Sequence, residues 1–493
     1  MFTPVITVND ATFRSRWAGP QVDQTGAIAL GSVGEGIRPV GDFATKLREG
    51  LHIGSLRFRP GLSFGWDYSD RNYGGQDTTG WENNQSFYIA PSLGLEYARS
   101  TGPWSLAARY GGSYTYFLNP DYSAYGTNNL RNPFNNAASL GISHAGTRHA
   151  AQFSSQASYG NGENIEAQGF TTTFAGSAAV SYDYLINEFL TAGAYGSYSV
   201  QLTRYEENTR DGSDLTSIRG GAYVDWLATG KTTAGVRVET GRLTSEIVEE
   251  VVAQPAPTPV PVAVPGASPA PTPAPAPVPV QPENEVQARQ YAQVIVAGAH
   301  NLTAKVLVAG GLGASYTTDE NIVDVDTKYT GLRPVYLLGM TFDPSEKTSI
   351  RAYTSFQGAD VVPSYGLSFT WRPSPNTSLT LSGYQTQNFS ITSVDQFQVN
   401  RGFVLSLQQI LFSKLTVGLS GGWQQTENVS LSSAVESTDP YEYAYTSASL
   451  SWKLNSWASW VASVRASTGN QAEPISPLSF PETTASVGFN LLF

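Results

Sequence analysis

Along most of this chain, large apolar residues alternate one for one with polar or small ones. In 56–68 every even position except Pro60 is large and apolar or aromatic, and the odd positions are Arg, Gly, Ser and Asp. Successive side chains of a strand point to opposite faces, so such a run predicts a strand with one greasy and one polar face. The pattern returns at 87–97, 106–116, 174–184, 218–226, 304–316, 334–342, 365–371 and 415–423, and ends with 483–493. About twenty such runs are expected, most of them about 11–15 residues long; globular strands average about 5–6 residues, whereas bilayer-spanning strands need about 9–11. The predicted fold class is all-β, a transmembrane antiparallel up-and-down β-barrel of about 20 strands, with 18 as the alternative.

The expected connections alternate in length. Short ones fall at 99–103, 144–149, 185–189, 227–231, 300–304, 343–348, 372–377, 409–414 and 454–457. Long ones fall at 69–85, 118–135, 160–169, 203–214, 317–327, 426–442 and 468–482. Short periplasmic turns opposite long extracellular loops mark an outer-membrane barrel, and a sandwich would show neither that asymmetry nor such long strands. Aromatics gather at strand ends: Phe64, Trp66, Tyr68, Tyr114, Tyr116 and Trp423 at the outer ends, and Trp104, Trp226, Trp371, Trp452 and Trp460 at the inner ones. Amphipathic rings favour those two interfaces.

Two segments break the pattern. Residues 1–53 lack alternation and read as an N-terminal periplasmic or plug segment. Residues 246–286 separate the barrel halves 54–245 and 287–493; within them, 255–282 hold 12 of the 29 prolines and no charge. Proline has no amide to give to a ladder, so this stretch is expected as a disordered, polyproline-like extracellular loop reaching roughly 85 Å when extended. No basic stretch followed by an apolar core opens the chain, so export implies a signal peptide already removed.

Composition narrows the function. Charged residues are 14% of the chain, against about 25% in ordinary soluble domains. A net charge of −11 argues against a nucleic-acid partner, and the absence of cysteine removes disulfides and thiolate chemistry. No run of 18 apolar residues is present, so no transmembrane helix is expected. The four histidines, His52, His144, His149 and His300, fall near the short-turn ends, and no nucleophile elbow, P-loop or metal-ligand pair accompanies them. Neither an enzyme nor a cofactor or metal site is expected.

The terminal run 485–493, alternating and ending in Phe489, Leu491 and Phe493, resembles the C-terminal signal of Gram-negative outer-membrane β-barrel proteins. Residues 59–73 resemble the first strand of β-barrel porin families, some of which are encoded with exopolysaccharide export systems. The resemblance covers roughly 54–493 and implies an outer-membrane location, contact with lipid and lipopolysaccharide, and insertion by the barrel-assembly machinery.

With the faces assigned, Arg57, Arg59, Arg109, Arg219, Arg237, Arg333, Arg351 and Arg465 point into the lumen, together with Asp67, Glu96, Asp183, Asp225 and Glu239. Arginine rings favour anions, although pairing of these arginines with neighbouring carboxylates is an equal expectation. Tyr88, Tyr223 and Tyr353 also face inward, and Arg401 falls on the lipid face, where a bulge or a subunit contact is expected to shelter it. The acidic group Asp319, Glu320, Asp324 and Asp326 is read as solvated loop charge, ahead of a calcium site. The expected function is a porin passing small hydrophilic solutes passively, with mild anion preference and unassigned oligomeric state. The alternatives are an exopolysaccharide export barrel, or a structural or adhesive barrel displaying the Pro-rich loop. A TonB-dependent receptor would need a larger plug than about 50 residues.

Overall fold

The computed structural model describes residues 51–53, 55–71, 82–98, 102–118, 134–164, 169–205, 212–248, 285–320, 329–356, 358, 360–389, 396–430, 438–455, 457–471 and 482–492. Segment 1–50, most of the Pro-rich stretch, Asp324, Asp326 and Phe493 lie outside the described residues. The described residues form twenty-one strands: β1 (Leu51–Ile53), β2 (Leu56–Arg71), β3 (Glu82–Ala98), β4 (Trp104–Phe117), β5 (Phe134–Ala145), β6 (His149–Asn164), β7 (Gly169–Asn187), β8 (Leu190–Tyr205), β9 (Gly212–Thr229), β10 (Thr232–Val248), β11 (Glu285–Thr303), β12 (Val306–Glu320), β13 (Gly331–Ser345), β14 (Thr348–Phe356), β15 (Ser364–Ser374), β16 (Thr377–Phe389), β17 (Gln396–Leu411), β18 (Leu415–Ser430), β19 (Thr438–Lys453), β20 (Ala458–Gln471) and β21 (Glu482–Leu492).

From β2 to β21 each strand pairs antiparallel with the next, and β21 returns to β2 in the register Gly61↔Leu492 to Arg71↔Glu482. The result is a closed 20-strand barrel. Closure leaves no free edge, which a strand in hydrocarbon requires because nothing there can satisfy an unpaired backbone amide. At the seam, Phe489 stacks on Phe64 with ring centroids 5.7 Å apart, and Leu491 stands opposite Leu62. The stub β1 pairs with 56–58 on the edge of β2 that β21 does not reach.

Turns of two to five residues join the strands at one end, and all the longer connections lie at the other. The outer face is apolar, with Val180, Val296, Leu312 and Leu332 exposed at mid-strand or above. Trp104, Trp226, Trp371 and Trp452 are exposed at the short-turn rim, and Tyr114, Tyr116 and Tyr316 toward the long-loop rim. This is an outer-membrane barrel, its two aromatic belts set at the membrane interfaces. Several strands outrun the lengths read from alternation: β7 and β11 reach 19 residues each. The backbone ladder continues past the bilayer in water, where outward positions no longer have to be greasy.

The wall is creased at β12. Gly313 stands between Ile295 and Val335, and Gly311 between Ala297 and Leu337. Lacking side chains, the glycines let Ile295, Val335 and Leu337 close over them as a small apolar cluster on the inner wall, with Ile295 and Val335 only 2% exposed. At the β17–β18 turn, Phe412 and Ser413 both adopt left-handed backbone, φ 52° and 57°. Such a conformation costs about 1–2 kcal/mol for a residue with a Cβ. Ser413→Gly is therefore expected to raise unfolding stability by about 1 kcal/mol, read as an upward shift of the urea midpoint.

Candidate binding chamber in the lumen

The inner face is a network of paired groups. Glu96 on β3 holds Arg59 at 3.2 Å and faces Arg109 at 3.9 Å, while Arg57 lies directly across from it in register. Arg219 donates to Ser197 at 2.8 Å. Arg465 donates to the Tyr443 hydroxyl at 2.5 Å and lies 4.5 Å over the Tyr445 ring. Arg333 donates to the Asp360 carbonyl at 2.5 Å and sits 4.6 Å over Phe356. Asp183 is buried and accepts from the Tyr223 hydroxyl. Asp225 lies between Thr191 and Gly235, and Asp67 between Ser86 and Ser486. Arg351 is exposed on the inner wall between Thr341 and Ser368.

Glu239 is the centre of one cluster. It accepts from Tyr195, from Tyr291 at 2.8 Å and from Gln293 at 3.1 Å, and is itself buried. Three donors on one carboxylate satisfy its charge without a cation. Arg237 lies 5.4 Å over the Tyr195 ring. Tyr195, Tyr291 and Gln293 were not among the residues read from sequence.

They share a signal that the sequence does contain. Inward tyrosines lie over glycines on the next strand: Tyr88 over Gly65, Tyr195 over Gly221, Tyr223 over Gly193, Tyr291 over Gly241, Tyr353 over Gly366 and Tyr445 over Gly422, and the Tyr88 hydroxyl reaches on to Gly488 of β21. A Cβ on any of the six next-strand glycines would come within 2.8 Å of a ring carbon. The ring covers backbone that the glycine leaves bare, which fixes its orientation. The inward tyrosines thus exceed the three expected.

The lumen narrows toward the long-loop end. The connection between β14 and β15 folds inward against β11, β12, β13 and β16, strands within three places of it in the wall. The Gly358 amide donates to Gln293 at 2.8 Å, and its carbonyl accepts from Thr317 at 3.2 Å and Ser315 at 3.5 Å. Gln387 accepts from the Val361 and Val362 amides at 2.8 and 3.1 Å and donates to the Asp360 carboxylate at 2.8 Å. Val361 packs in a buried cluster with Leu243, Tyr291, Tyr329 and Phe397. Arg289 of β11 lies 5.7 Å over the ring of Phe397 from β17, so strands six apart in the wall approach each other across the lumen.

Arg289 is held in turn by Asp319 at 3.1 Å and by the Tyr329 carbonyl at 2.7 Å, with both charged side chains at most 1% exposed. This corrects the reading of Asp319 as solvated loop charge: it ends β12 pointing inward. Glu320 points outward and pairs with Arg242 at 3.0 Å. Among the described residues no cluster of potential metal ligands occurs. Arg401 also departs from expectation: neither ladder of β17 is broken beside it, and it pairs with Glu427 on β18. Arg204 pairs likewise with Asp214 at 2.5 Å. Arg401 and Arg204, outward and near the long-loop ends, each meet a carboxylate on the adjacent strand, which removes the need for a bulge.

Below the constriction lies a cavity of about 710 Å³. Its one side is a wall of serines on β5 to β9, among them Ser139, Ser177, Ser199 and Ser217. Its other side is formed by Tyr353, Gly358, Asp360, Thr386 and Gln387. His144 stacks on Trp104 at 4.4 Å and meets His149 edge-on, away from this cavity.

No protein-family model matches the chain, and no curated protein matches it. Solved barrels do. The FrpB iron transporter from Neisseria meningitidis is 10% identical with a TM-score of 0.49, over 91% of this chain and 84% of that one. The ferric-catecholate import receptor Fiu from E. coli K12 is 10% identical with a TM-score of 0.48, over 90% and 82%. The siderophore receptor PirA from Pseudomonas aeruginosa is 12% identical with a TM-score of 0.42, over 90% and 81%. At these values the likeness is one of barrel fold.

The expectation of a passive porin with mild anion preference is corrected. Within this chain, several inward arginines are engaged by the wall and the lumen is narrowed by an inward connection. An open bore ringed by uncompensated arginines is not what the chain builds.

Proposed function

We propose that this protein is a ligand-selective, gated transport barrel of the outer membrane. The observation that carries the reading is the inward β14–β15 connection, fastened to β11, β12, β13 and β16 and packed beneath Phe397. Seven hydrogen bonds hold it. Even at about 0.5 kcal/mol apiece they sum to roughly 3.5 kcal/mol, which leaves the released form below about 1% populated. Passage therefore needs a ligand or partner that favours the released form. The inward charged residues act as a binding wall, with no catalytic step. Phe489 and Leu491, together with Phe493, serve as the assembly signal; segment 1–53 lies in the periplasm or lumen, and 246–286 outside the cell.

Planar-bilayer recording tests the gate. The wild-type protein is expected to be silent for most of the record. Replacing the fastening side chains in Gln387→Ala/Phe397→Ala is expected to lengthen the open time at least about tenfold, since one lost contact of about 1.4 kcal/mol suffices for that factor. A large, steady ohmic current through the wild type would sink the reading.

A further inference from the structure

The lip of the barrel at the short-turn end, the periplasmic end of such a barrel, reverses the sign of the chain's net charge. On β14 and β15, Thr348 stands opposite the outward Trp371, and just beyond them the Arg372 amide donates to the Lys347 carbonyl at 2.6 Å. On β18 and β19, Leu415 stands opposite the outward Trp452, and the Lys453 amide donates to the Lys414 carbonyl at 2.8 Å. Successive residues alternate faces, so Lys347 lies beside Arg372, and Lys414 beside Lys453, on the inner side of the lip. All four are exposed, and no described residue hydrogen-bonds or ion-pairs with their side chains. Like charges directly opposite each other on paired strands are destabilising, so each pair is poised for an anion.

Carboxylates are scarce here. The sequence has no Asp or Glu in 361–394, 396–426 or 443–472, the stretches that contain every short turn from β15 to β20. Further round the lip, Arg148, Lys231 and Lys305 are exposed, as are Glu188, Asp343 and Glu346, so charge of both signs is confined to that side. The whole chain carries −11.

A second observation lies beside Lys414. The β17–β18 turn holds Phe412 at 88% exposure on left-handed backbone, φ 52°. Strain of this kind persists where function uses it, and an exposed aromatic is a ready anchor for an apolar side chain.

Spacing narrows the partner. The two pairs stand three strand intervals apart, about 14 Å, which no single phosphate or carboxylate bridges. From β14 to β19 the arc measures about 24 Å, the length of about seven extended residues.

We infer that this arc docks an acidic peptide segment of a periplasmic partner, its carboxylates on the Lys347–Arg372 and Lys414–Lys453 pairs and an apolar side chain against Phe412. The inner-face position favours a peptide over a lipid headgroup, which would meet the outer face. The inference goes beyond the gate and stands or falls separately from it.

Fluorescence anisotropy on the full chain in neutral detergent micelles tests this. The probes are a short labelled peptide of glutamates around a central leucine, and its lysine counterpart. Wild type is expected to bind the glutamate peptide at least about tenfold more tightly, the effect of a few exposed charge contacts. A net charge of −11 acting alone would give the reverse. Raising the salt to about 1 M, where the Debye length falls to about 3 Å, is expected to remove the preference. Lys414→Gln/Lys453→Gln is expected to weaken the glutamate peptide about tenfold, and Phe412→Ser to weaken both peptides. Arg242→Gln, at the opposite rim, is expected to bind like wild type. Heat-modifiable migration on gels confirms that each variant is folded. Tighter binding of the lysine peptide overturns the inference, as does no binding of either, or lip variants that bind like wild type. Micelles containing phosphatidylglycerol are the second probe: if they bind through the same lysines while the glutamate peptide does not, the lip serves lipid and the peptide falls.

Discussion

Asp319→Ala is expected to destabilise the barrel by about 3–5 kcal/mol, the cost of leaving a buried charge without its partner. Arg289 would remain at 1% exposure with only the Tyr329 carbonyl and the Phe397 ring for company. The pair itself is not ideally satisfied: Arg289 Nε and Asp319 Oδ1 have no hydrogen-bond partner. Removing both charges should therefore cost far less than removing one. The double variant Arg289→Met/Asp319→Ala is expected to recover most of the loss, because well-packed apolar groups replace buried ion pairs with little penalty. Urea unfolding of the protein refolded into lipid vesicles measures both. A single variant within about 1 kcal/mol of wild type would show that the pair is solvated. The same variants report on the constriction, since Arg289 carries Phe397 on its guanidinium.

Gly313→Ala carries the second large effect. A Cβ there would stand 2.0 Å from the Val294 carbonyl oxygen and 2.9 Å from the Ile295 Cα. Both obstacles are backbone of a paired strand, so nothing can rotate away. Overpacking costs typically about 1–3 kcal/mol, and a backbone clash belongs at or above the top of that range. The expected outcome is a loss of about 3 kcal/mol or more, with a reduced yield of heat-modifiable barrel. Gly310→Ala on the same strand is the control. Its nearest neighbour would be Leu338 Cδ2 at 3.5 Å, ordinary contact, and little change is expected. Equal stability of the two variants would mean that β12 is not creased as described.

Much of the wall is legible in the residues themselves. Alternation from Leu56 to Tyr68 and its repeats separate the lipid face from the lumen face, because a strand crossing hydrocarbon has only two faces and one must be apolar. Arg59 and Glu96 read as inward from that parity, and they meet across β2 and β3. Arg289 escaped because its strand begins just beyond the Pro-rich stretch, where Gln287, Arg289, Gln290 and Gln293 blur the period. Arg401 was placed on the outer face correctly, but its partner Glu427 sits on another strand and is found only through register. The β14–β15 connection gave little warning. Seven residues at 357–363 resemble any short surface loop, and only Gly358 and Pro363 mark them.

By itself, then, the sequence determined the all-β barrel, the side of each strand that meets lipid, and the end that carries the long loops. These follow from local rules: a period of two, a minimum length for crossing the membrane, and the refusal of proline to pair. The tertiary structure alone decided the contacts that join residues distant in the chain. It closes β21 on β2, lays tyrosines on glycines, buries Arg289 against Asp319, and brings Val361 and Phe397 to Tyr291 across the lumen. Such contacts depend on register and on the curvature of a twenty-strand wall. Both are set by the closed ladder as a whole and by no single run of residues.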